Sequence, residues 1–77
     1  MSLREAYRSG FEGRPGWRIS FDYDAESVEA LKQSVPQRDR AYDPETKDWW
    51  VALEQEDAIL AVFPQFEEHL RQLEMPL

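Results

Sequence analysis

Arg38-Asp39-Arg40-Ala41-Tyr42-Asp43-Pro44-Glu45-Thr46-Lys47-Asp48-Trp49-Trp50-Val51-Ala52-Leu53 joins turn chemistry, basic residues and two adjacent tryptophans in one short span. At its centre, Asp43 offers a carboxylate that can accept a backbone N–H two residues on, and Pro44 has the fixed φ that suits the second position of a type I turn. Strand-forming residues flank this turn, Arg40 to Tyr42 before it and Trp49 to Leu53 after it, so the span predicts a β-hairpin. If Tyr42 pairs with Trp49, both share a face with Arg40 and Val51, while Ala41, Trp50 and Ala52 point the other way. Adjacent tryptophans on one strand cannot both enter the same one-sided core. At least one of them needs a separate explanation.

Working outward, Trp17 to Tyr23 alternates apolar and polar residues without a break, the pattern of a strand buried on one face. Trp17, Ile19, Phe21 and Tyr23 are expected on the core side, with Arg18, Ser20 and Asp22 on the other. Asp24 suits a helix N-cap and Glu26 a first turn. Val28, Leu31 and Val35 follow at helical spacing, and Pro36 ends the helix. Downstream of the hairpin, Glu54 to Asp57 suits a helix start. Ile59, Val62, Phe63, Phe66, Leu70 and Leu73 continue an apolar stripe that Pro64 breaks into a kink or two short helices. Upstream, Leu3, Tyr7 and Phe11 recur at a spacing of four and predict one face of a short helix that exists only if it docks. Gly10, Gly13, Pro15 and Gly16 then predict a flexible joint, without the spacing of a phosphate-binding loop. The expected architecture is a partly flexible arm over residues 1–16 and a single α+β domain over 17–77. That domain has two layers: a three-stranded sheet in a β-α-β-β-α-α chain, with the helices packed on one face and the other face open.

Length and composition set bounds on function. Seventy-seven residues allow one domain, of a size whose core leaves only about 3–5 kcal/mol of stability and little room for a deep enclosed active site. The absence of cysteine excludes a disulfide framework and thiolate zinc sites. No apolar run approaches a membrane span and residues 1–16 lack the apolar centre of a signal peptide, so a soluble cytoplasmic protein without a membrane partner is expected. The net charge of -7 argues against nucleic acid. Its distribution is uneven: residues 1–48 hold eight basic and ten acidic side chains, residues 49–77 one and six. A local basic patch therefore remains open in the first part.

The residues nominate no catalytic centre, metal site or cofactor. His69 stands beside Glu67 and Glu68 but has no second histidine, and reads as solvated helix surface. Asp22 and Asp24 read as a solvent-facing strand residue and a helix cap rather than an acid/base pair. Glu54 to Asp57 lacks the alternating ligands and central glycine of a calcium loop. A non-enzymatic role is expected. The basic set has two readings. Guanidinium groups suit phosphates and exposed aromatics suit bases, so Arg18, Arg38, Arg40 and Lys47 with Trp50 as a stacking surface would make a nucleic-acid site. Alternatively, Arg40 pairs with Asp39, Asp43 or Asp48 and Trp50 covers residual apolar surface.

The pattern Arg40-x-Tyr42-Asp43-Pro44-x-x-Lys47-x-Trp49-x-Val51-x-Leu53, after a Tyr23-Asp24 strand end and a helix with Leu31-Lys32, resembles the HARP (HepA-related protein) domain. The resemblance covers roughly residues 17–63. It implies a module that recognises single-strand/double-strand junctions by shape and phosphate contact, as an accessory of helicases in DNA repair or replication. Family roles would fall on Arg40, Tyr42, Lys47 and Trp49. Without an ATPase motor in the chain, the expected function is non-catalytic binding of forked or single-stranded DNA, alone or with a separate helicase or other repair protein. The alternative is a protein-interaction or homo-oligomerisation module that uses the open sheet face or the acidic C-terminal helices.

Overall fold

A computed structural model describes residues 3–22 and 24–74. In chain order the elements are β1 (Leu3–Arg8), β2 (Gly16–Phe21), α1 (Ala25–Ser34), β3 (Arg40–Asp43), β4 (Asp48–Ala52), α2 (Glu56–Val62) and α3 (Phe66–Glu74). Single 3-10 turns, Gln37–Asp39 and Leu53–Gln55, precede β3 and follow β4. The class is α+β, with an antiparallel sheet of four strands in the order β1-β2-β4-β3. Because β2 and β3 both run antiparallel to β4, they are parallel to each other. Helix α1 is thus the crossover of a split β-α-β unit with β4 inserted between its strands.

The predicted hairpin forms, and of its possible registers it takes the one in which Tyr42 pairs with Trp49, Ala41 with Trp50 and Arg40 with Val51. Its turn is an Asx turn in which Asp43 Oδ1 accepts from the Glu45 N–H at 3.0 Å, and Lys47 at φ 61° brings the chain back into β4. The Asp24 cap also forms, accepting from the Glu26 N–H at 3.1 Å and from the Ser27 hydroxyl at 3.1 Å. Trp17, Ile19 and Val51 on one sheet face meet Leu31 and Val35 of the first helical segment and Ile59, Val62, Phe63 and Phe66 of the last two. Trp17 stacks edge-on against Phe66 at 4.8 Å, and its ring N–H donates to Glu56 Oε2 at 2.8 Å. Tyr23 falls outside the described residues, as does the Leu73 side chain.

The first sixteen residues depart from expectation. Residues 3–8 form an edge strand, not a helix, and make the sheet four-stranded rather than three-stranded. A spacing of four is divisible by two, so it fits a strand as well as a helix. The ready edge of β2 offers a full hydrogen-bond ladder, whereas a short helix must nucleate alone. A bulge between Leu3 and Glu5 then switches faces. Leu3 therefore enters the core at 8 % exposure while Tyr7 stays 47 % exposed on the opposite face. The glycine-rich segment is a hairpin rather than a joint. Phe11 and Arg14 bond reciprocally, N–H to C=O, at 2.9 and 3.0 Å. Glu12 and Gly13 take φ 51° and 78° at its tip, as a two-residue turn with positive φ at both central positions requires.

Candidate functional site

The open sheet face is organised by a row across all four strands. Tyr7 opposes Arg18, Arg18 opposes Trp50, and Trp50 opposes Ala41. Trp50 was the predicted stacking surface, and the structure closes it. The Phe11 to Arg14 hairpin tip folds over the ring, with Phe11 at 5.2 Å and the Arg14 guanidinium at 5.6 Å. The indole N–H donates to the Ser9 carbonyl at 2.9 Å, and only 3 % of the residue stays exposed. The second tryptophan thus has its own small core on the far side of the sheet, built by a segment that the sequence suggested was flexible.

Arg14 fastens this cover. It donates to the Arg38 carbonyl at 2.8 Å, to Asp39 Oδ1 at 2.7 Å and to Glu54 Oε1 at 2.7 Å. Asp39 is buried and also accepts from the Gln55 side-chain amide at 2.9 Å. The Arg14 hydrogen bond is the main cause that holds the Asp39 carboxyl below its ordinary value, against the opposing effect of burial, and Gln55 adds to it. Asp39 in turn raises Arg14. Asp43 is lowered likewise, first by Arg18 and then by the Glu45 N–H. A carboxyl whose folded pKa is depressed stabilises the fold above its unfolded pKa of about 3.9, and that contribution is lost as pH falls through the lower folded value. We therefore expect the urea midpoint to fall between pH 5 and pH 2. In Asp39→Asn the midpoint should be lower at pH 6 and its acid limb flatter. An unchanged limb would show that the contact contributes nothing to stability.

The five predicted site residues do not converge. Arg18 lies beside Trp50 on the open face, but it donates to Asp43 Oδ2 and the Thr46 hydroxyl at 3.1 Å each and sits 3.9 Å from Asp48 Oδ2. Arg40 points to the opposite face, where its guanidinium donates to the Val35 carbonyl at 2.7 Å and ties α1 to the start of β3. Among the described residues Arg40 forms no ion pair with Asp39, Asp43 or Asp48, which pair with other arginines instead. Arg38 is exposed in the 3-10 turn before β3, so the two arginines share no regular strand face. Lys47 is exposed at the other end of that strand, in the hairpin turn.

Two clefts flank the edge strand β3. One opens at the turn end of the hairpin, beside α1, with a volume of about 480 Å³. Phe21, Val28, Tyr42 and Trp49 give it apolar surface, and Arg4 and Lys47 stand among its lining residues with Asp22. Tyr42 and Trp49 lie 5.1 Å apart with their planes at 50°, and Tyr42 is 49 % exposed. Arg4 donates to Asp22 Oδ1 at 3.2 Å in a solvated pair, and Lys47 has no ion pair among the described residues. The second cleft, about 230 Å³, lies on the open face between Phe11, Trp50, Ala41 and Pro44. Arg4 and Arg14 are the residues that sequence reading missed. Both lie in the segment taken for an arm, and only the pairing of β1 with β2 brings them to these places.

Comparison with protein families, characterised proteins and solved structures finds no match for this chain. No helix among the described residues is long and apolar enough to cross a membrane.

Proposed function

We propose that this chain is a non-catalytic DNA-binding module of HARP-like type that serves DNA repair or replication, engaging single-stranded or forked DNA through the cleft beside α1. The supporting observation is that exposed aromatic surface and exposed cations coincide there: Tyr42 and Trp49 beside Lys47 and Arg4. Tyr42, Lys47 and Trp49 are also three of the residues on which the HARP resemblance rests. A volume of about 480 Å³ falls within the range of sites that take a small organic group, about 300–1,000 Å³, and so admits one unpaired base. A base stacked on Tyr42 would place its neighbouring phosphates toward Lys47 and Arg4. Duplex DNA hides its base faces and cannot use such a cleft, so preference for unpaired strand follows from the chemistry. The net charge of -7 repels DNA as a whole and sets the affinity low.

Fluorescence anisotropy with labelled single-stranded, forked and duplex oligonucleotides at low salt tests this. Single-stranded and forked probes should bind and duplex should not. With two phosphate contacts the slope of log affinity against log salt should be about -1.4, at roughly 0.7 per contact for single strands. Lys47→Glu should abolish that binding while the melting temperature is kept. Tyr42→Ala should weaken it by the roughly 1–3 kcal/mol that one stacked base contributes. Absence of any association at high micromolar protein would falsify the reading.

A further inference from the structure

The open-face cleft meets the cleft beside α1 only at Tyr42, and lacks its two cations Lys47 and Arg4. Its floor and walls are Trp50, Ala41, Phe11 and Pro44. At about 230 Å³ it is smaller than the roughly 300 Å³ at which small-molecule pockets begin, and has room for an aliphatic side chain. The charges around it are one-sided. Arg18 is held by Asp43 and Asp48. Exposed Glu12 and Glu45 directly follow the lining residues Phe11 and Pro44 in the chain. Asp43 and Asp48 thus share one guanidinium, with two exposed glutamates next in the chain to the lining. Arg14, the other cation nearby, is already bound to Asp39 and Glu54.

We propose that this cleft docks a protein segment of stated chemistry: one aliphatic anchor side chain flanked by lysine or arginine. The anchor would fill the space over Ala41 beside the Trp50 edge, and the flanking cations would meet Glu12, Glu45 and the Arg18-bound aspartates. An apolar anchor supplies contact area, and complementary charge selects the partner. Charge also excludes a second copy related by a two-fold axis, because that would bring two acidic rims together.

The probe is a short peptide with a single leucine between lysine pairs, titrated into the full chain at low salt and followed by backbone amide shifts. Glutamate-flanked and alanine-centred versions serve as controls. The lysine-flanked leucine peptide should bind and move the Phe11, Ala41 and Trp50 amides, and both controls should bind at least about tenfold more weakly, the equivalent of about 1.4 kcal/mol. Ala41→Leu, which fills the cleft from within, should abolish binding. The surface pair Glu12→Lys/Glu45→Lys, which removes no buried contact, should weaken it about tenfold by charge alone. Equal binding of the glutamate peptide, binding unaffected by Ala41→Leu, or shifts confined to another face would each overturn the proposal, as would self-association of the chain through this face. Lys47→Glu should leave the peptide bound while it abolishes oligonucleotide binding, so either reading can fail without the other.

Discussion

Trp50→Ala is expected to leave most of the protein unfolded at 25 °C. Truncation of a buried tryptophan costs about 3–5 kcal/mol, from lost transfer energy and the cavity left behind. A domain of this size has only about 3–5 kcal/mol in total. The ring at 3 % exposure is also contacted by the hairpin tip on that side of the sheet, so its removal strips a partner from Phe11 and from Arg14 together. Far-UV circular dichroism with a urea titration measures the loss. Trp50→Phe keeps an aromatic ring but not the N–H that reaches the Ser9 carbonyl, and should cost about 1 kcal/mol more than its change in volume alone. An exposed stacking residue would behave in the opposite way, with the melting curve unchanged and DNA binding lost. Retention of wild-type stability in Trp50→Ala would therefore restore the ring as a candidate DNA contact and remove the account given of its burial.

What the sequence disclosed and what it concealed divide along the distance between interacting residues. The β3–β4 hairpin was legible because its determinants are neighbours: Asp43 bonds the Glu45 N–H two positions on, and a four-residue loop leaves little freedom in the pairing of Tyr42 with Trp49. The Asp24 cap is local in the same way. Trp50 was legible only as a problem, because its cover comes from residues some forty positions earlier. Arg14 meets Asp39 and Glu54 across 25 and 40 positions, and no local pattern marks it. The N-terminal strand failed for another reason. Its apolar spacing satisfies two periods at once, and a bulge breaks the alternation that would have distinguished them. Its turn is Glu12-Gly13, where Asn-Gly or Asp-Gly would have signalled a tight hairpin. The candidate site inherited both difficulties. Of the five residues nominated as DNA contacts, Lys47 alone lines the cation-rimmed cleft, joined by Tyr42 and Trp49 from the resemblance and by Arg4 from the misread strand.

Gly16→Ala should be the most disruptive of the single-methyl additions at the three glycines. In an ordinary strand conformation, replacing glycine by alanine stabilises by about 0.4–1 kcal/mol, because the unfolded chain loses freedom. Gly16 has no positive φ to forbid this gain, so any net loss must come from space. A methyl group there would stand 2.5 Å from the Trp50 ring at Cε2 and Nε1 and 2.5 Å from the Val51 carbonyl oxygen. Neither obstacle is the free end of a flexible chain. The ring is clamped by Phe11, Arg14 and Ser9. The carbonyl belongs to the central strand, whose Ala52 is paired with Gly16 itself. Nor can Gly16 retreat, since its own carbonyl accepts from the Ser9 N–H at 2.9 Å. Overpacking of this kind costs about 1–3 kcal/mol, which exceeds the entropic gain, and each kilocalorie lowers the melting temperature of a domain this small by about 4–8 °C. The ring and the carbonyl separate in a double-mutant cycle with Trp50→Phe. A shorter ring relieves one contact and leaves the other, so Gly16→Ala should cost less in that background without becoming neutral. An equal cost in both backgrounds would assign the whole clash to Val51, and a stabilised Gly16→Ala protein would mean that the Trp50 ring does not sit against this strand at all.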